Sequence, residues 1–185
     1  MKQLFALSAI GRDRPGIVAD LAELIFECDC NLEDSRMTIL GSEFAVLLLL
    51  SGQGADVERR LSAACKRLEW EKRLTVFFRP LEGEVAPADE PAGRVLECSV
   101  TGVDKAGIVA RIARTIADHG ANVQDLRTEL RREPESGTPI YTMRLVMRLG
   151  PGVDERALRR RLDDDAAALN VDVAVGDPGS RPGER

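Results

Sequence analysis

The chain has 185 residues, 44% apolar and 31% charged, with a formal net charge of −5. That length makes one medium domain or two small ones of about 80–90 residues each, and the acidic balance argues against a broad nucleic-acid surface. The apolar stretch near the N-terminus is too short for a signal peptide or a membrane span, so a cytoplasmic location is the expectation.

Residues 4–10 read as a strand with both faces largely apolar. It leads into Gly11-Arg12-Asp13-Arg14-Pro15-Gly16-Ile17-Val18, whose chemistry is that of a strand-to-helix turn. Asp13 is expected to cap the helix, and Pro15 is tolerated in a first turn that has no N–H partner to lose. Gly16 lets another molecule approach the backbone, and the amides after it point out of the positive helix end, which accepts a carboxylate or phosphate.

The spacing predicts a helix over 16–28 with Val18, Leu21, Ala22 and Ile25 buried. Strands follow at 31–40 and 43–51, joined by a Gly41-Ser42 hairpin turn. Gly52-Gln53-Gly54 breaks the second of these. A helix spans 56–71, with Asp56 as cap and Val57, Leu61, Ala64 and Leu68 facing in. A strand at 74–78 is ended by Pro80. Residues 82–93, with two prolines and two glycines, read as a linker.

The same order then returns: a strand at 95–101, a helix at 108–119 with Val109, Ile112, Ala113 and Ile116 inward, strands at 122–130 and 140–149, a helix at 154–169 with Leu158, Leu162, Ala166 and Leu169 inward, and a strand at 171–175. Residues 177–185 read as a disordered tail. A shift of 91 positions lays Gly11 on Gly102, Asp13 on Asp104, Gly16 on Gly107, Ile17 on Ile108, Asn31 on Asn122, Asp34 on Asp125 and Arg36 on Arg127. Such self-similarity marks a duplicated unit.

The fold class is therefore α+β. Two ferredoxin-like βαββαβ domains (1–81 and 94–176) stand in tandem, each an antiparallel four-stranded sheet with two helices on one face. In the first domain the central strands are apolar on both sides, so its helix-free face is expected to be covered by another subunit or by the other domain. In the second, Tyr141, Met143, Leu145, Met147 and Leu149 alternate with Thr142, Arg144 and Arg148, which predicts a wetter outer face.

Other chemistry is sparse. Cys28, Cys30, Cys65 and Cys98 do not form a zinc pattern and read as small buried side chains in a reducing compartment. The single histidine, His119, suits a helix C-terminus. Arg159-Arg160-Arg161 and Asp163-Asp164-Asp165 read as a solvated charged face. No catalytic or metal motif is present, and neither enzyme activity nor a cofactor is expected.

The combination Asp13-Arg14-Pro15-Gly16-Ile17-Val18, Asn31-Leu32-Glu33-Asp34-Ser35-Arg36-Met37 and Leu40-Gly41-Ser42-Glu43-Phe44 resembles tandem ACT-domain proteins, in particular the glycine cleavage system transcriptional repressor family. The resemblance implies a regulator that senses a small amino acid, glycine being the suspected effector. It also implies a homodimer, acting through a LysR-type activator protein without touching DNA or membrane. The ligand positions it carries over are Asp13, Arg14, Pro15, Gly16, Ile17, Asn31 and Leu32, and in the second domain Asp104, Lys105, Gly107, Ile108, Asn122 and Val123. Ala106 stands where that pattern has proline. In this picture the Gly16 and Ile17 amides take the ligand carboxylate and Asn31, or a nearby carbonyl, takes its ammonium. The alternative is a ligand-independent interaction module; a third reading, a fragment of a longer enzyme, predicts a reading frame that continues past Arg185.

Overall fold

The computed structural model describes residues 2–82, 93–103, 106–133 and 136–179. The chain divides into two units, Met1–Ala88 and Asp89–Arg185. The segment read as a linker lies, apart from its first and last residues, outside the described residues.

Unit 1 runs β1 (Lys2–Arg12), α1 (Ile17–Glu27), β2 (Cys30–Leu40), β3 (Glu43–Gln53), α2 (Val57–Lys72) and β4 (Thr75–Leu81). Its sheet has the order β2-β3-β1-β4, antiparallel throughout. Period-two patterning puts Phe5, Leu7 and Ala9 of β1 on one face with Phe44, Val46, Leu48 and Leu50 of β3, in a single core with residues of both helices. Each large side chain fully buried in such a core contributes about 1.5–3 kcal/mol. Unit 2 repeats the plan with β5 (Val95–Val103), α3 (Ile108–Asp118), β6 (Ala121–Arg132), β7 (Pro139–Leu149), α4 (Glu155–Leu169) and β8 (Val171–Gly176), in the order β6-β7-β5-β8.

The duplication reaches fine detail. Each hairpin carries an irregularity at the same place, between Leu32 and Asp34 and between Val123 and Asp125. The repeated Gly11 and Gly102 have a shared packing reason: a Cβ at Gly11 would meet Leu74 Cδ2 at 2.6 Å, and one at Gly102 would meet Val171 Cγ1 at 2.7 Å. This glycine makes room for the neighbouring edge strand rather than for a ligand.

Several local expectations are corrected. α1 buries Ile17, Leu21, Leu24 and Ile25, whereas Val18 is 53% exposed and Ala22 is exposed. Ile17 and Leu24 offer more apolar area, and the helix turns to bury them. Pro80 does not end β4 but lies inside it, paired with Phe5; β4 is an edge strand, where a missing N–H costs least. β3 runs through Gly52 to Gln53, because a Cβ at Gly52 would sit 2.6 Å from Val57 Cγ1 and the bare backbone packs there instead. Residues 177–179 are tied back: Arg94 pairs with Asp177 at 2.9 Å, and the Gly179 amide donates to Glu97 at 3.4 Å.

The charged run on α4 is also not simply solvated. Asp165 is 0% exposed and accepts from Arg111 Nε at 2.7 Å and from the Thr115 hydroxyl, clamping α4 to α3. Burial pushes its carboxyl up, but the hydrogen bonds from Thr115 and Arg111 prevail and hold it below the usual carboxylate range. Arg159 pairs with Glu155 at 2.8 Å and donates to the Val175 carbonyl. In unit 1, Leu61, Cys65 and Leu68 of α2 have the spacing of Leu158, Leu162 and Asp165, so Leu68 stands where unit 2 has its buried acid. All four cysteines are buried and unbridged, and burial pushes Cys65 up to about 11 and Cys98 to about 12, so their thiols stay protonated at neutral pH.

Candidate functional site

The turn between β1 and α1 has a different capping chemistry from the one expected. Gly16, not Asp13, is the N-cap, at φ 87° and ψ −4°, and no side chain caps the helix. Asp13 instead anchors the loop through its backbone, its N–H donating to Ser42 O at 2.8 Å. Pro15 precedes the N-cap rather than occupying the first turn. The left-handed conformation at Gly16 reverses the chain within one residue, which a side-chain cap would not do and a Cβ would oppose. The Asp20 amide closes the first turn on Gly16 O at 2.9 Å, and the Ile17 amide is drawn back toward Arg14 O at 3.4 Å. The amides of Gly16, Val18 and Ala19 have no backbone acceptor among the described residues.

The tip is open. An added Cβ at Gly16 would find only Arg14 Nη1, at 4.0 Å. Around it stands a charge cluster that the spacing of the motif does not reveal: Asp20 accepts from Arg14 and pairs with Lys72 Nζ at 3.1 Å. Hydrogen bonds from Arg14, then Lys72, hold the Asp20 carboxyl below its ordinary range. The available signal was Asp20 itself, a carboxylate in the first turn of a helix without a capping side chain. From there a charged groove continues between α1 and α2, past Glu23, Glu27, Arg67 and Glu71.

Unit 2 presents the same tip at Gly107, φ 97° and ψ −4°, with the Arg111 amide on Gly107 O at 2.9 Å and nothing within 4 Å of an added Cβ. Ile108, like Ile17, is buried beneath it. Asp104 and Lys105 lie outside the described residues. Arg111 occupies the position of Asp20, and it is turned toward Asp165. His119 is the C-cap of α3, with Nδ1 2.8 Å from Thr115 O.

Asn31 and Leu32 do not join the tip within one unit. Asn31 pairs with Ser51, which pairs with Leu4, whereas the tip follows Arg12 at the other end of β1. Eight residues of strand separate the two levels, about 26 Å. Asn122 and Val123 stand likewise at the Val95 end of β5, away from Gly107. Parallel travel of β1 and β2, with α1 spanning the sheet between them, forces this separation. The Asn31 side chain therefore does not receive the ammonium of a ligand held at Gly16 of the same unit. Asp13, exposed in the loop itself, is the acceptor closest in sequence to the tip.

The fold and the paired tips define a class. A family model described as the ACT domain matches residues 3–79 and 95–132, and the chain belongs to the ACT-domain family. Among curated relatives, it is 50% identical over 46 residues to the glycine cleavage system transcriptional repressor of Escherichia coli K12; the match spans 25% of this chain and 24% of that one. The chain thus aligns with about a quarter of that relative's length. Among solved structures, an unknown protein from Galdieria sulphuraria superposes with a TM-score of 0.78 at 28% identity, over 95% of this chain and 98% of that one. A candidate glycine cleavage system transcriptional repressor superposes with a TM-score of 0.69 at 22% identity, over 95% and 97%, which shows the shared tandem fold. The chain is an ACT-domain protein similar in sequence, over that segment, to the repressor. Among the described residues, no helix is long and apolar enough to cross a membrane.

Proposed function

We propose that the protein is a non-catalytic, cytoplasmic sensor that binds a small amino acid at the helix tips and passes the signal to a protein partner. The observation that carries this reading is the Gly16 tip, whose Gly16, Val18 and Ala19 amides have no backbone acceptor among the described residues and whose helix has no capping side chain, with the same left-handed glycine cap at Gly107. A ligand carboxylate fits the Gly16 and Val18 amides at the positive helix end; its ammonium fits the Asp13 carboxylate. Charge-assisted hydrogen bonds contribute roughly 1.5–3 kcal/mol each, so two or three sustain millimolar-to-micromolar affinity after association costs. The relation to the glycine cleavage repressor supports glycine as the first ligand to test, and a LysR-type activator is the partner that the family resemblance implies.

Calorimetric titration of the folded chain with each of the twenty amino acids tests the sensor. Binding of one of them, weakened by Asp13→Ala, is the expected result; no heat from any at about millimolar ligand ends the reading. A second reading, a ligand-independent interaction module, is favoured by the exposed apolar face of the first sheet. It gains if the partner's affinity ignores every amino acid.

A further inference from the structure

The helix side of unit 1 carries its two most exposed aromatics. Phe26 on α1 is 82% exposed and Trp70 on α2 is 88% exposed. Both border the groove between these helices. Asp20 with Lys72 at 3.1 Å and Glu27 with Arg67 at 2.5 Å bridge the groove and set α1 antiparallel to α2. Between the bridges Glu23 and Glu71 line its walls, beside the buried Leu24 and Leu68. Phe26 follows Glu23 by one helical turn and Trp70 follows Arg67 by one turn, which puts an aromatic ring on each rim. Among the described residues neither Glu23 nor Glu71 makes an ion pair or hydrogen bond, whereas Arg67 and Lys72 are held by Glu27 and Asp20. The fold itself does not require this surface. At the corresponding places unit 2 has Arg114 for Glu23, Ala117 for Phe26, Ala167 for Trp70 and Ala168 for Glu71. The same helices form with alanine there, so the two rings serve a surface and not the core.

We propose that the α1–α2 groove of unit 1 docks a basic amphipathic helix of a protein partner. Three observations select that occupant. Two antiparallel helices in contact leave a furrow between them, which the side-chain ridge of a third helix fills. The unpaired carboxylates of Glu23 and Glu71 inside it are complementary to lysine or arginine, and an acidic segment would be repelled. The rings on the two rims are anchors of the kind that carries binding energy, and each accepts an apolar side chain or the cation of an arginine on its face. The formal net charge of −5 steers a basic segment toward the chain. The proposal rests on the reading of a chain that acts through a protein partner. It needs no amino-acid ligand, so peptide binding and amino-acid binding succeed or fail separately.

Trp70 is the chain's single tryptophan, so its fluorescence in the full chain reads this surface directly. In the free protein its emission is expected to be that of indole in water and open to quenching by acrylamide. An amphipathic peptide of about 18 residues, with leucine on one face and lysine on the other, should shift the emission to the blue and shield it, with a Kd of about 10 μM in low salt. The same peptide with glutamate in place of lysine should do neither. Glu23→Arg with Glu71→Ala, and separately Phe26→Ala, install what unit 2 carries at those places; each should weaken binding about tenfold or more while melting stays unchanged. Two independent variants keep the contact readable should one fail to fold. Three outcomes overturn the proposal: emission already blue and shielded in the free chain, which would mean that unit 2 or a second copy covers the face; no response to the lysine peptide; or a response that both variants leave intact.

Discussion

The two units share a backbone plan and differ in the polarity of the outer sheet face and of the buried seam between the helices. On the outer sheet face, Leu47, Phe77 and Ile10 of unit 1 stand where unit 2 has Arg144, Ala174 and Thr101. Between the helices the exchange runs the same way. Unit 1 packs Leu24 and Leu68, where unit 2 buries Thr115 and Asp165 and pairs Asp165 with the exposed Arg111. Unit 1 is thus apolar at both places, and unit 2 is polar at both. A duplicated fold tolerates the exchange at the helix seam because the buried Asp165 keeps hydrogen bonds from Arg111 and Thr115 where unit 1 packs apolar core side chains.

The sharpest way to break the comparison is Arg111→Ala. It leaves the buried Asp165 carboxylate short of its main cation, and the loss in denaturant unfolding should be about 2–4 kcal/mol. The same change at the matching position of unit 1, Asp20→Ala, removes a part-buried carboxylate from between the more exposed Arg14 and Lys72, which water can then solvate, and should shift the transition less.

Next comes the two tips. Gly16→Ala and Gly107→Ala each force a side chain into the left-handed region without a clash, and each should cost about 1–2 kcal/mol by thermal melting. Near-equal losses would show that the tips are equivalent in the fold.

Converting the helix pair of unit 2 to that of unit 1, Thr115→Leu with Asp165→Leu, should stay within about 1 kcal/mol of wild type, since a well-packed apolar pair replaces a desolvated charge. The double variant also carries a pH signature. The Asp165 carboxyl is held below its unfolded value near 3.9, so its stabilisation is present above about pH 4 and is lost as pH falls through the folded value. Acid titration of stability should be shallower in the variant than in wild type.

Arg144→Leu removes the ion pair to the largely buried Glu97 and should cost about 1 kcal/mol. Its readout is association: an apolar patch on the second sheet should add concentration-dependent self-association to unit 2.

Much of this was legible in the residues themselves. Period-two runs in β1 and β3, helical stripes on α2 and α4, and the repeat at 91 positions were enough for two βαββαβ units, because hydrophobic periodicity is local and is written along the chain. The contrast between the outer faces was legible for the same reason: Arg144 and Arg148 interrupt β7, and nothing comparable interrupts Val46–Leu50.

Only the tertiary structure decided the rest. That Asn31 lies a strand's length from Gly16 follows from strand direction and register, which no local pattern encodes. That Gly16 rather than Asp13 caps α1 depends on the loop being pinned to Ser42, a residue of the next hairpin. And Asp165, one of three consecutive aspartates, is chosen for burial because α3 presents Arg111 and Thr115 to it, residues fifty positions away that meet it only when both helices lie on the same sheet. Sequence fixes what each segment prefers; the packing of distant segments determines which polar groups find partners and which remain free to bind.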